Sequence, residues 1–143
     1  MNITQEQVTL IKRSWKVFRA MDPVLVGDLF YSKLFTINSS IKKMFPNDMS
    51  KQYFKLIDML SVIVSRLDNI DVLTEEIAAM AKRHAGYGVR PGHYKLAGDA
   101  LLWTLEKGLG KDWTPELEEA WKKCYNQLAD TMISAAAEAT TSS

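Results

Sequence analysis

The sequence has little cysteine, little net charge and no long apolar run, and each shortage excludes a class of protein. Its single cysteine, Cys124, rules out an internal disulfide and a thiolate-held metal cluster, so a reducing cytoplasm is the expected location. A formal net charge of +1 gives no electrostatic footprint for nucleic acid or for an anionic membrane. No apolar stretch approaches the roughly 20 residues that span a bilayer, and the polar residues 1–6 do not resemble a secretory signal. We therefore expect neither a nucleic-acid partner nor a membrane partner.

The length and composition are those of one domain. A chain of 143 residues suits one hydrophobic core better than two. Its 47% of apolar and 24% of charged residues are usual for a globular protein. We expect a single domain over residues 1–143, with a C-terminal tail at about 135–143 that frays because it is rich in Ala, Thr and Ser.

Helical periodicity runs through almost the whole chain. Thr4 and Gln7 have the spacing of a capping box, and Asp22 followed by Pro23 has the form of an N-cap with proline at the first helical position. The pattern predicts seven helical segments, at about 4–18, 23–35, 39–44, 50–67, 72–85, 92–109 and 115–137. No segment alternates long enough to predict a strand, so the expected fold class is all-α.

His84 is the residue most indicative of chemistry. It shares a helical stripe with Ile77, Met80 and Ala81, so its ring is expected to point into an apolar space. A hydrogen-bonded core histidine fits this pattern. So does an axial ligand of haem iron, whose second ring nitrogen would be oriented by a carbonyl one turn back. Periodicity alone leaves both interpretations open.

Five motifs, in order and at their separations, resemble those of bacterial single-domain globins and of the globin domain of flavohaemoglobins. They are Leu-Phe-Tyr at 29–31, Met-Phe-Pro at 44–46, Gln-Tyr-Phe-Lys-Leu at 52–56, the stretch 82–94 around His84, and Glu-Ala-Trp at 119–121 with Tyr125 and Ala129. The similarity extends over about residues 4–133. It implies a globin fold, a three-on-three helical sandwich around one haem b (iron protoporphyrin IX).

The resemblance also implies a role for individual residues. His84 becomes the proximal ligand of the iron, and Phe45 packs on the porphyrin face, where a plain core aromatic is the alternative. Tyr31 and Gln52 become the distal polar pair. Otherwise Tyr31 would present its hydroxyl at the surface and Gln52 would be solvated.

Further residues are expected around the haem. Leu56 walls the pocket, which is compatible with ordinary core packing, and Lys55 and Arg83 either pair with the propionates or remain solvated. His93 is expected near a propionate or at the surface rather than on the iron.

Tyr94 matches a proximal tyrosine that, in flavohaemoglobins, is hydrogen-bonded to the ligating histidine and a glutamate of the last helix. An ungapped count from Trp121 puts Ala136 at the glutamate position, and Glu138, two residues further along the helix, is expected on a different face. The proximal network is therefore predicted to be incomplete, which argues against peroxidase-like chemistry.

The resemblance implies dioxygen, carbon monoxide and nitric oxide as ligands. Dioxygen in a haem pocket carries partial negative charge, and a hydrogen bond is worth about 0.5–1.5 kcal/mol, more to a charged acceptor. Two donors then slow its release by about two orders of magnitude, since about 1.4 kcal/mol is tenfold. The expected function is high-affinity, reversible dioxygen binding for storage, delivery or scavenging. Nitric oxide dioxygenase activity with a separate reductase is the alternative, since 143 residues hold no flavin or nicotinamide domain, and a gas sensor ranks third.

Overall fold

Six α-helices and three short 3₁₀ segments make up the computed structural model, which describes residues 3–141, with side chains up to Glu138. The α-helices are α1 (Gln5–Arg19), α2 (Pro23–Ile37), α3 (Ser50–Ser65), α4 (Thr74–Gly86), α5 (Pro91–Leu109) and α6 (Pro115–Thr141). The 3₁₀ segments are Ser39–Met44, Leu67–Leu73 and Gly110–Asp112. No strand occurs between residues 3 and 141, so the all-α prediction is confirmed.

The predicted caps begin the helices as expected. The Thr4 hydroxyl accepts from the Gln7 amide at 3.1 Å while the Gln7 side chain accepts from the Thr4 amide at 3.0 Å, which completes the capping box. Asp22 caps α2 by accepting from the Val24 amide at 3.0 Å. At the end of α5, Gly110 has φ +54°, a conformation that glycine adopts without steric cost.

Four helix boundaries differ by two residues or more from those predicted. Helix α2 ends at Ile37 instead of residue 35. Helix α3 ends at Ser65 instead of residue 67, and α4 begins at Thr74 instead of residue 72, because a 3₁₀ segment broken at Asn69 (φ −149°, ψ 62°) lies between them. Helix α6 continues to Thr141, beyond the expected end at residue 137. Residues 1–2 of the polar N-terminal stretch and residues 142–143 of the predicted frayed tail lie outside the described residues.

The helices pack in two layers. Helix α2 crosses α3 and runs against α5, while α6 packs on α1, α4 and α5. Trp121 is 1% exposed at the centre of the main core, and its indole N–H donates to Ser14 Oγ at 2.9 Å. In the part of the chain that the structure describes, no helix is long and apolar enough to cross a membrane.

The crossing of α5 with α1 depends on Gly108, which tests this packing. A methyl group on Gly108 would lie 2.6 Å from Cε1 of Phe18. Phe18 is 2% exposed and is stacked on Trp15 at 6.1 Å, so its ring has little room to yield. We expect Gly108→Ala to lower the free energy of unfolding by about 1–3 kcal/mol in urea denaturation.

Gly92→Ala is the matched control, because Gly92 lies in the same helix with open space around its Cα. It should change the free energy of unfolding by less than about 0.5 kcal/mol. Equal denaturation midpoints for the two variants would contradict this account of the α1–α5 contact.

Candidate functional site

One large cavity, here called the central cavity, lies between the two layers. Its volume is about 790 Å³, within the range of roughly 300–1,000 Å³ typical of cofactor and ligand sites. All eight residues predicted to bind a cofactor line it: Tyr31, Phe45, Gln52, Lys55, Leu56, Arg83, His84 and Tyr94. These eight residues come from four α-helices, α2 to α5, and from the turn between α2 and α3, and Tyr125 of α6 also lines the cavity.

His84 faces the cavity from α4, on the stripe that periodicity predicted. Ile77, Met80 and Ala81 of that stripe are buried. The Nδ1 atom of His84 lies 2.7 Å from the carbonyl oxygen of Met80, one turn back. Because a carbonyl only accepts, Nδ1 carries the proton, and in the neutral ring the lone pair is then on Nε2. This is the tautomer that ligates a metal through Nε2.

Tyr31 and Gln52 meet in the same cavity. Tyr31 is 5% exposed, so its hydroxyl is not at the surface. Its oxygen accepts a hydrogen bond from Nε2 of Gln52 at 3.1 Å, and Gln52 is thereby partly buried rather than solvated. Burial raises the pKa of Tyr31 to about 12 despite this bond. The hydroxyl keeps its proton and can donate it to a third group.

An aromatic shell holds the Tyr31 ring. Phe30 and Phe45 meet it edge-on, with centroids 4.9 Å and 5.3 Å away, and Phe35 and Tyr53 lie at 6.0 Å. Phe45 follows the 3₁₀ segment and is half-buried, with one side on this shell and the other on the cavity. The Phe45 ring thus belongs to the cavity wall as well as to the core.

The mouth of the cavity is polar. Lys55 and Arg83 line it with exposed side chains, and Leu56 continues the wall inward from Lys55. His93 also lines the cavity, and its Nδ1 accepts from the Arg90 amide at 2.9 Å, which caps α5. A structural role in the α5 N-terminus thus accounts for His93.

The Tyr94 side of the cavity is mainly apolar. Burial raises the pKa of Tyr94, and its carbonyl accepts a hydrogen bond from the Tyr125 hydroxyl. Tyr94 and Ala136 pack against the same cluster of buried residues, which includes Met80 and Met132. The predicted glutamate position therefore carries a methyl group that packs on the same cluster as Tyr94.

Sequence reasoning missed several lining residues. Met59 and Met80 contribute apolar walls, Tyr87 and Val89 border the mouth, and Asp58 adds a carboxylate there. Helical spacing could have found two of them, since Met59 lies seven residues after Gln52 and Met80 lies four before His84. Tyr87 and Val89 follow α4, where no periodic signal applies.

The donor set fits haem better than a bare metal ion. Among residues 3–138 no group of three or more His, Cys, Asp or Glu side chains could hold an ion. The cavity instead offers one imidazole with a free Nε2, apolar and aromatic walls, and two basic side chains at its mouth. One axial nitrogen, a dry pocket and cations for the carboxylates are what haem requires.

Comparison with known proteins agrees with this assignment. A family model described as Globin matches residues 28–132. Flavohemoproteins of Vibrio cholerae and Bordetella pertussis are 29% and 30% identical over 134 residues, which are 92% of this chain and 34% and 33% of those proteins. The chain thus spans about one third of the length of these relatives.

A solved structure gives the same result for the fold. A carbene transferase engineered from a Rhodothermus marinus protein assigned as a nitric oxide dioxygenase superposes with a TM-score of 0.87 at 25% identity. The superposition covers 98% of this chain and 97% of that one. With the family model matching most of its length and the fold in agreement, this chain belongs to the globin family, whose members bind haem.

Proposed function

We propose that this protein binds haem b through His84 and binds dioxygen reversibly with high affinity on the side of Tyr31 and Gln52. The observation that carries the proposal is the composition of the central cavity. An imidazole with a free Nε2 and a hydrogen-bonded tyrosine–glutamine pair line the same apolar space. We also propose that residues 1–143 act as one domain, and a single cysteine favours a cytoplasmic location.

Haem, when bound, supplies an iron that binds dioxygen, carbon monoxide and nitric oxide and makes bound dioxygen partly negative. His84 holds the group from α4, with the Met80 carbonyl keeping Nε2 turned away from its own helix. Phe45 would pack against the bound group, while Leu56 and the methionines would exclude water from it. Lys55 and Arg83 lie where they can pair with its carboxylates.

Tyr31 is the main donor to a ligand in this pocket. Its oxygen already accepts from Gln52, so the hydroxyl proton is free to point into the cavity. Gln52 keeps a second N–H for the same ligand. A donor in a dry pocket stabilises partly negative dioxygen more than carbon monoxide, which is less polarised.

A second function, nitric oxide dioxygenase activity, is favoured by the likeness to the Rhodothermus marinus protein and to flavohemoproteins. The same tight dioxygen site suits it. The iron must then be reduced after each turnover, which requires an electron donor in this or another polypeptide. Sustained nitrate formation with a reductase present would distinguish this activity from the single reaction with nitric oxide expected of any globin.

The absorption spectrum of the reconstituted protein tests the proposal first. Reduced without air, it should be five-coordinate, and it should turn into a long-lived oxygenated form in air. His84→Ala should weaken haem binding, with recovery on adding imidazole, because it removes the free Nε2. His93→Ala is the matched control and should keep the spectrum, since His93 caps α5. A six-coordinate spectrum of the reduced protein, or an equal loss of haem binding in His84→Ala and His93→Ala, contradicts the assignment of His84 as the haem ligand.

The rate of dioxygen dissociation tests the roles of Tyr31 and Gln52. Tyr31→Phe should speed dioxygen dissociation about tenfold, the effect of losing a bond worth about 1.4 kcal/mol. Gln52→Leu should also speed dioxygen dissociation. The double variant should increase the rate by less than the product of the two single increases, because the two residues act together. Carbon monoxide dissociation is the control and should change less than about twofold. An unchanged dioxygen rate in Tyr31→Phe removes Tyr31 from the ligand site.

The raised pKa of Tyr31 gives a pH prediction. With a pKa of about 12, the hydroxyl remains a donor at any lower pH and loses its proton only as the pH rises through that value. Stopped-flow dioxygen dissociation should therefore stay constant from about pH 7 to 10, whereas a phenol of ordinary pKa, about 10, would be half ionised at the upper limit. The dioxygen dissociation rate of Tyr31→Phe should be equally independent of pH, at a faster value. An increase centred near pH 10 that disappears in Tyr31→Phe would show that burial does not protect this proton.

A further inference from the structure

Two side-chain hydrogen bonds join α2 to α3 in the part of the chain that the structure describes. The first is the bond from Nε2 of Gln52 to the Tyr31 oxygen, at 3.1 Å, between two residues that line the central cavity. In the second, the hydroxyl of Tyr53 donates to Oδ1 of Asp28 at 3.2 Å, and neither of these residues lines the cavity. The function proposed above uses the first bond and leaves the second without a role.

The second bond is made by close sequence neighbours of the first. Tyr53 follows Gln52 directly, and Asp28 precedes Tyr31 by three residues, which puts Asp28 and Tyr31 on one face of α2. Consecutive residues of a helix lie about 100° apart around its axis, so Gln52 and Tyr53 leave α3 in different directions. A bond that fixes Tyr53 therefore fixes the rotation of α3 about its axis, and with it the direction in which Gln52 extends.

The contact at Gly27 sets the distance between the two helices but does not set this rotation. Glycine has no side chain that could interlock with α3, and the Cβ and Cγ atoms of Tyr53 pack directly over it. The Tyr53 ring also lies 6.0 Å from the Tyr31 ring. The ring is thus held near its base by Gly27 and at its tip by the Asp28 carboxylate.

The chemistry of the pair suits a lasting hydrogen bond. A carboxylate is a stronger acceptor than a neutral oxygen. Burial, the hydrogen bond to Asp28 and the charges of Asp28 and Asp48 raise the pKa of Tyr53, so its hydroxyl keeps the proton that it donates. The Ser32 hydroxyl, on the same helix as Asp28, donates to the same carboxylate oxygen at 3.3 Å and helps to orient it.

We propose that Tyr53 and Asp28 are positioning residues for the distal pair. Their hydrogen bond holds α3 at the rotation in which the Gln52 amide reaches the Tyr31 oxygen, and it thereby sets how long dioxygen is retained. Neither residue contacts the ligand. The inference rests on the proposed function, because it assigns to Tyr31 and Gln52 the hydrogen bonds that retain dioxygen.

Stopped-flow dioxygen dissociation from the haem-loaded protein tests the proposal. Tyr53→Phe keeps the ring and removes only the donor, whereas Asp28→Ala removes the acceptor. Each should speed dissociation about threefold, less than Tyr31→Phe, because the Tyr31 hydroxyl itself remains. Asp28→Asn keeps an acceptor oxygen and should stay within about 1.5-fold of the parent rate. Parent rates in both Tyr53→Phe and Asp28→Ala overturn the proposal.

Two controls separate positioning from a general loosening of the fold. In a Gln52→Leu background, Tyr53→Phe should change the rate by less than about 1.5-fold, since no amide is left to position. Ser32→Ala removes the other donor to Asp28 without touching α3, and it should also stay within about 1.5-fold of the parent rate. An effect of Tyr53→Phe that is equal in both backgrounds, or an equal effect of Ser32→Ala, contradicts a positioning role.

The infrared C–O stretch of the carbon monoxide complex gives a readout that does not depend on dioxygen. Its frequency reports the hydrogen-bond donors that face the ligand, which a change in overall stability does not move. Tyr53→Phe and Asp28→Ala should shift the band toward its position in Gln52→Leu, and an unshifted band in both variants contradicts the proposal.

The same variants separate this inference from its premise. Faster dioxygen dissociation in Tyr31→Phe and Gln52→Leu, with parent rates in Tyr53→Phe and Asp28→Ala, disproves the positioning role alone. Parent rates in all four variants disprove the proposed role of the distal pair and the inference together.

Discussion

The close approach of α2 and α3 at Gly27 is the constraint on which the distal half of the cavity depends. A Cβ atom on Gly27 would lie 2.6 Å from Cβ of Tyr53, so only glycine allows this crossing. Tyr31 follows Gly27 by one turn and Gln52 precedes Tyr53 by one residue, and for this reason their side chains meet at 3.1 Å. A wider crossing would separate the Tyr31 hydroxyl from the Gln52 amide, and each would then need a water molecule as its hydrogen-bond partner. The helix packing itself thus creates the polar pair.

The opposite half is built independently of that crossing. His84 is held by its own helix through the Met80 carbonyl, and α4 is fixed mainly by apolar packing on α6, including Met132. A single local hydrogen bond therefore orients the imidazole before any cofactor binds. Two rigid half-sites from different helix pairs leave between them a space of about 790 Å³. Pre-organisation of this kind lowers the ordering cost of binding.

The sequence predicted best what local periodicity determines. The buried stripe below His84, the capping box of α1 and most helix bounds follow from spacing alone, and the family resemblance added Tyr31 and Gln52. It could not predict which atom donates within that pair, because the direction of the bond depends on how α2 and α3 cross. A break in the helix at Asp68-Asn69 was predicted, but the 3₁₀ conformation of Leu67–Leu73 was not, since this segment packs on α1, α3 and α4.

The two halves of the cavity and its mouth bear on the choice between the candidate functions. A distal pair that retains dioxygen suits storage and turnover alike, so the distal chemistry does not separate them. The difference lies in how often the iron must be reduced: rarely for a carrier, and once in every cycle for a dioxygenase.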